Sequence, residues 1–458
     1  MGSEVPAEWP CYELHTFVRK VRSGATPRGG AESYAAERSN YALVRSQNVF
    51  DHRFEPNGLA FISDSQARDL AGAELEANDV LLNITGDGVT FGRSCLAPSD
   101  VLPACVNQHV MLIRVDPTKC VAGYLASWLS LPDTKGYIES FNAGGSRRAI
   151  TKGHIEAFKV PLPPIEVQRD IAGVSAVFNR RIDLLRQTNA TLESIAQALF
   201  KSWFIDFDPV RAKAEGREPE GMDAATAALF PAEFEESVLG LIPKGWRIST
   251  LAEHVSAERG LSYKGAGLCN AGEGMPMHNL NSVLEGGGYK YAGLKHYSGD
   301  FRERHTVSGG EIIVANTEQG HEHRLIGFPA IVPMRYERAI FSHHIYRVRV
   351  RPQSPLTVHS LYFMLMAPSV REQVIGCSNG STVNMLKVAG LEIPRFVCPS
   401  RMVAKAFESI AQPLRRQAEA NVERIDLLTD LRDTLLPRLI SGKLRQPEAQ
   451  AQLEDALA

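Results

Sequence analysis

The chain is written twice. Asp79-Val80-Leu81-Leu82, with Thr85 close behind, returns as Glu311-Ile312-Ile313-Val314 with Thr317. Gln108-His109-Val110 returns as His343-His344-Ile345, and Leu125 to Pro132 returns as Leu361 to Pro368. Pro6-Ala7-Glu8-Trp9 comes back as Pro243-Lys244-Gly245-Trp246. Leu199 to Phe204 comes back as Leu435 to Ile440. The offset runs from 232 residues between Asp79 and Glu311 to 237 between Pro6 and Pro243. Solenoid repeats have periods of about 20–50 residues. Each copy here is therefore a whole domain plus the segment that trails it. Two similar domains in one chain fit a target with two related halves.

A chain of 458 residues holds two or three domains. No stretch of about 18 apolar residues marks a transmembrane helix, and the acidic start MGSEVPAEWP is no secretion signal. The seven cysteines are scattered without CxxC spacing, which fits a reduced, cytoplasmic protein. The formal net charge of −2 argues, taken alone, against a nucleic-acid partner. Its distribution says more. Residues 1–164 carry 16 Lys+Arg against 18 Asp+Glu, and residues 206–240 carry 3 against 9. Residues 241–398 carry 17 against 12, with 9 of the 13 histidines. Phosphate contact needs a local basic surface rather than a basic chain. The second copy offers such an excess; the first does not.

Within each copy, short apolar runs punctuated by Gly and Pro read as strands: Val80 to Leu82, Val110 to Ile113, and Ile345 to Val350. Tyr124 to Leu131 and Ser360 to Met366 read as short helices stopped by Pro. Beyond Pro161-Leu162-Pro163-Pro164 the texture changes. Ile171, Phe178, Leu185, Leu192 and Leu199 recur every seven residues. Ser175, Ile182, Asn189, Ala196 and Trp203 interleave with them. The second copy repeats the pattern with Phe407, Leu414, Asn421, Leu428 and Leu435, interleaved by Ala411, Ala418, Ile425, Arg432 and Leu439. These are heptad seams, each waiting for a partner helix. Asn189 and Asn421 sit within them, either fixing register or marking local exposure. Two such helices in one chain pair antiparallel. Between the first helix and the second domain, Asp206 to Gly240 reads as an acidic, solvated connector.

Several enzyme classes lack their motifs. There is no GxxxxGK[ST], no GxSxG and no HExxH; His321-Glu322-His323 has the wrong spacing. Pro163-Pro164 lacks the preceding Asn or Asp and the following aromatic of amino-methylating enzymes. His321, His323, His343 and His344 match no zinc pattern, and Asp206 and Asp208 read as a helix end rather than paired acids. No metal is expected in the chain.

The segment Val160 to Arg169 (VPLPPIEVQR), leading into a long helix that ends Leu199-Phe200-Lys201-Ser202-Trp203-Phe204, resembles the central region of type I restriction-modification specificity subunits. Leu431 to Leu444 (LRDTLLPRLISGKL) resembles their C-terminal region, and the Pro-x-x-Trp domain starts fit as well. The second copy departs at Ile393 to Pro399, which lacks the Pro-Pro and Gln-Arg of the first. The resemblance implies an α+β fold: two similar mixed α/β target-recognition domains held apart by two long antiparallel coiled-coil helices. The domains are placed at 1–164 and 241–398. The spacer helices fall at 165–205 and 399–445, the connector at 206–240 and a tail at 446–458. The implied function is sequence specificity, each domain reading half of a bipartite asymmetric site in double-stranded DNA. The helices set the spacing and dock two DNA methyltransferase subunits. The resemblance also implies that the subunit itself carries no cofactor and no catalytic residue. Those partners use S-adenosylmethionine, and restriction subunits, where present, add ATP and Mg. The alternatives are a recognition subunit in a methylation-based defence system lacking the usual restriction subunit, or a stand-alone DNA methylase or nuclease.

Base reading wants Arg or Lys for guanine and Asn or Gln for adenine, carried on loops. In the first domain the candidates are Arg28, in the Gly24 to Gly30 loop, and Arg147-Arg148 beside Gly144-Gly145. Thr85 and Gly86 begin a stretch that either brings backbone to a phosphate or is a plain turn. In the second domain Lys264 is the counterpart of the Arg28 loop. Arg302 and Arg304 form one further group, and His321, His323 and Arg324 another.

Overall fold

The computed structural model describes residues 9–445, 448 and 449, apart from 36, 39, 146, 321, 381 and 382. Pro6 to Glu8 and His321 lie outside these, as does most of the 446–458 tail. The chain divides into two compact units, Met1–Arg186 with Glu423–Ala458, and Gln187–Val422.

The first unit is built on a four-stranded antiparallel sheet. Strands β1 (Val18–Ser23), β2 (Val80–Asn83), β3 (Ser94–Leu96) and β4 (Val110–Val115) lie in the order β1-β4-β2-β3. The runs Val80 to Leu82 and Val110 to Ile113 are apolar without alternation because both faces of this sheet are covered. Val80, Leu82, Met111 and Ile113 pack with Tyr124, Leu125 and Leu129 of helix α1 (Ala122–Leu129). Leu81, Val110 and Leu112 face the other way, toward Ala42, Val44, Ala104 and Val106. Those four lie on Tyr41–Val44 and Ala104–Val106, which pair in parallel. Helix α2 (Pro132–Glu139) follows α1, and helix α3 spans Ile165–Phe204. Pro132 does more than stop α1. It occupies the first turn of α2, where its missing N–H costs no helical bond.

The second unit repeats this. Strands β5 (Val255–Arg259), β6 (Ile312–Ala315), β7 (Pro329–Ile331) and β8 (Ile345–Val350) lie in the order β5-β8-β6-β7. Ile312, Val314, Tyr346 and Val348 face one core, while Ile313, Ala315 and Ile345 face another. Met275–His278 and Ala339–Phe341 supply the parallel pair. Helix α4 (Val358–Met366) is followed by α5 (Pro368–Gly376), again with Pro in its first turn. Helix α6 spans Arg401–Ile440.

An acid–arginine pair is also written twice. Asp79 accepts from Arg114 Nε and Nη2, both at 2.8 Å, and Glu311 pairs with Arg349. A Cβ at Gly24 would fall 1.6 Å from the Val106 carbonyl oxygen, and one at Gly260 2.3 Å from that of Ser342. Only glycine lets the chain leave β1 and β5 this close to the parallel pair.

The heptad positions are placed within each unit. In the first, Ile171, Phe178, Ile182 and Leu185 are buried in one cluster with Leu428, Leu435 and Leu439, and Arg432 Nη1 donates to Asn179 Oδ1 at 3.0 Å. In the second, Ala196 and Trp203 are buried with Phe407 and Ala411, while Leu192, Leu199 and Leu414 are partly buried. There Asn189 meets Asn421, and the Phe200, Trp203 and Phe204 rings surround Phe407 at 5.3–6.2 Å. Residues advance along α3 as their partners recede along α6, so the pairing is antiparallel.

The starts of the two long helices are held differently. Gln168 is buried; its Oε1 accepts from Val121 N at 2.9 Å and its Nε2 donates to the Pro163 carbonyl at 2.9 Å. At α6, which lacks this glutamine, Ser400 Oγ accepts from Val403 N at 3.3 Å and Glu408 accepts from His359. The second copy thus starts its helix without the Pro-Pro and Gln-Arg pattern. The acidic connector is not simply solvated. Asp208–Ala214 is helical, and Phe207, Val210 and Phe230 are buried against Trp203 and Trp246. Its charge faces outward while four aromatic rings anchor it. Among the described residues no helix is long and apolar enough to cross a membrane, and all seven cysteines are free.

Candidate nucleic-acid interface

Each unit holds a threonine–histidine pair at the end of its main sheet. Thr85 follows β2 and His109 precedes β4; Thr85 Oγ1 lies 2.6 Å from His109 Nδ1. Thr317 follows β6 and His344 precedes β8; Thr317 Oγ1 lies 3.1 Å from His344 Nδ1. Strand pairing brings these ends together, so the match follows from the duplicated sheet order. The surroundings then diverge.

In the first unit the neighbours are amide and hydroxyl. Gln108 Nε2 is 3.2 Å from His109 Nε2, and Thr26 Oγ1 donates to Gln108 Oε1. Thr26 lies two residues before Arg28, which is exposed. Arg148–Ala149 pairs with Thr85–Gly86, which places exposed Arg147 beside the same group. Burial, and then the charge of Arg147, holds His109 below the usual imidazole range. Arg148 is committed elsewhere, its Nε donating to Glu139 at 2.6 Å. Gly86 is a strand residue, and in the turn after it Asp87 accepts from the Val89 and Thr90 amides. The structure thus gathers Thr26, Thr85, Gly86 and Arg147 around Gln108 and His109, with Arg28 two residues along the chain from Thr26.

In the second unit the neighbours are aromatic and cationic. The His343 and His344 rings are 4.0 Å apart, Tyr263 lies 6.2 Å from His343, and Lys295 Nζ donates to the Tyr263 hydroxyl at 3.1 Å. Burial lowers the proton affinity of His344, and His343, Arg259 and Lys295 lower it further. Exposed Lys264 adjoins Tyr263. Glu318, next to Thr317, accepts from Arg324 N at 2.8 Å, which ties the His323–Arg324 loop beside this group. His323 is held in the left-handed region at φ 52°, and the Arg324 side chain pairs with Glu322 at 2.8 Å. Arg302 and Arg304 flank a separate turn, where Arg304 Nε lies 3.2 Å from His305 Nε2. Among the described residues neither bonds to the Thr317–His344 group.

Thr26, Gln108, Tyr263, Arg259 and Lys295 were not singled out as contacts from sequence. The usable signal was the repeat itself: Thr85 and His109 recur together as Thr317 and His344. Among the described residues no group of three or more His, Cys, Asp or Glu could hold a metal ion.

Residues 61–194 match the family described as the type I restriction modification DNA specificity domain. The chain is 24% identical to the type I restriction enzyme HindI specificity subunit of Haemophilus influenzae, over 96% of this chain and 100% of that one. It is 21% identical to the MjaIX specificity subunit of Methanocaldococcus jannaschii, over 97% and 95%. The fold is shared with the crystal structure of a type I restriction-modification S subunit from M. genitalium: TM-score 0.50, 14% identity, 94% of this chain and 96% of that one. Over nearly its whole length the chain is thus similar to type I restriction enzyme specificity subunits.

Proposed function

We propose that this chain is the DNA sequence-specificity subunit of a type I restriction-modification complex. Each unit reads one half of a bipartite, asymmetric site. The long helices set the spacing of the half-sites and dock two methyltransferase subunits. The observation that carries this reading is a duplicated frame with divergent loops. The sheet order and the Thr–His pair repeat, whereas Gln108 and Thr26 in one unit give way to His343 and Tyr263 in the other. A shared frame suits two like partners, and different loops suit two different half-sites.

Chemistry then belongs to the partners, which would use S-adenosylmethionine for methylation, and ATP with Mg where restriction subunits join. The DNA target puts the complex in the cytoplasm. Purified full-length chain, given DNA with S-adenosylmethionine or Mg, should show no turnover. Adding its methyltransferase subunits should produce methylation confined to a two-part motif. Turnover by the chain alone would overturn the reading.

A further inference from the structure

We propose that Gln108 reads an adenine in the half-site bound by the first unit, and that His109, Thr85 and Thr26 position its amide. The proposal rests on the DNA-specificity reading above. A glutamine amide has two N–H donors and an oxygen with two lone pairs. One lone pair of Gln108 Oε1 accepts from Thr26 Oγ1, and one Nε2 hydrogen goes to His109 Nε2. One donor and one acceptor on this exposed side chain are left without a partner among the described residues. That remainder is what the major-groove edge of adenine requires: N–H to N7 and oxygen to the N6 amino group.

The hydrogen bonds are ordered. With His109 Nε2 accepting from Gln108, the ring proton sits on Nδ1 and is donated to Thr85 Oγ1, 2.6 Å away. Thr26 and Thr85 belong to segments far from Gln108 in sequence, so the amide is gripped from both sides before any ligand arrives. Such pre-ordering lowers the entropy lost on binding. Exposed Arg147 lies beside the group, and exposed Arg28 lies two residues from Thr26; their charge suits backbone phosphates. At the same position the second unit has His343, its ring tilted against those of His344 and Tyr263, which cannot offer the amide's paired donor and acceptor. Position 108 and its counterpart 343 therefore differ in chemistry on a common frame.

The test uses the full chain with its methyltransferase partners and a duplex carrying its methylation motif. Each adenine is replaced in turn by 7-deazaadenine, which lacks N7, and binding is measured. For the unaltered protein, one replacement in one half-site should weaken binding by roughly 2- to 13-fold, the range of the single hydrogen bond lost at N7. In Gln108→Ala that same replacement should cost nothing further, while replacements elsewhere keep their penalties. Gln108→Glu, which preserves size but removes the donors, should accept cytosine better at that position. His109→Ala should reduce discrimination at the same base without altering the others. Undiminished discrimination at every adenine in Gln108→Ala would overturn the proposal. So would an equal loss at all positions, since that is the mark of a structural role. Absence of any bipartite motif with the unaltered chain would instead overturn the specificity reading itself.

Discussion

Asn421 donates from Nδ2 to Oδ1 of Asn189 at 2.8 Å, and Asn189 donates in turn to the Ala418 carbonyl at 3.1 Å. Two polar residues in two apolar seams have found each other. This favours a register role over local exposure, because a slip by one heptad would break both bonds between the helices. Asn189→Ala strands the buried Asn421 side chain and should cost about 1–3 kcal/mol. Replacing both by Leu should restore most of that loss, since no orphaned polar group remains. Urea denaturation of the full chain checks this; equal losses in the single and double variants would show that the pair is not coupled.

The two acid–arginine pairs should differ in worth. The Asp79 side chain is 2% exposed and grips Arg114 with both oxygens, whereas Arg349, the partner of Glu311, is 49% exposed. Breaking a buried pair leaves an uncompensated charge, and Asp79→Ala should cost about 3 kcal/mol or more. Glu311→Ala should cost about 1 kcal/mol or less, because water screens the exposed partner. Comparable losses in thermal unfolding would contradict this ordering.

Two histidines, buried His278 and half-buried His52, set an acid limit on stability. Burial lowers His52 to about 3 and His278 to about 4 in the folded chain. An unfolded histidine titrates near 6.5. Below that pH the unfolded state binds protons that the folded state refuses. Stability is therefore full above about pH 6.5 and falls as pH drops toward the folded values. The slope is up to about 1.4 kcal/mol per pH unit for each group. Replacing His278, which is hydrogen-bonded to Tyr289 at 3.2 Å, by Asn should make unfolding of the second unit less steep in pH. An unchanged profile between pH 7 and 5 would show that His278 is not one of the groups responsible.

Arg28 and Arg147 should act as phosphate contacts. Replacing either by Ala should weaken binding evenly across sequences and reduce the salt slope of log K by about 0.9. A change confined to one base position would assign that arginine to direct base reading instead.

Much of the frame was legible because it obeys simple periods. The seven-residue recurrence from Ile171 to Leu199 read as a helix seam, and the doubled offset located second copies of β2, β4, α1 and α3. The apolar runs at Val80 and Ile312 marked strands, although not that both their faces are covered. What escaped were relationships across long sequence separations. Thr26 and Gln108 are 82 residues apart, and neither is unusual locally. Acidic composition concealed the aromatic anchors Phe207 and Phe230 in the connector, because a few buried rings barely alter a segment's average. Arg432 was counted as a seam position, with no partner foreseen for its charge. The structure gives its guanidinium Asn179 and Asp433 as partners.

Methylome sequencing of the host with and without this gene is the most direct test of a two-part DNA-reading function. A single bipartite, asymmetric adenine-methylation motif should vanish on deletion and return with the intact gene. Survival of every bipartite motif in the deletion strain would contradict the assignment.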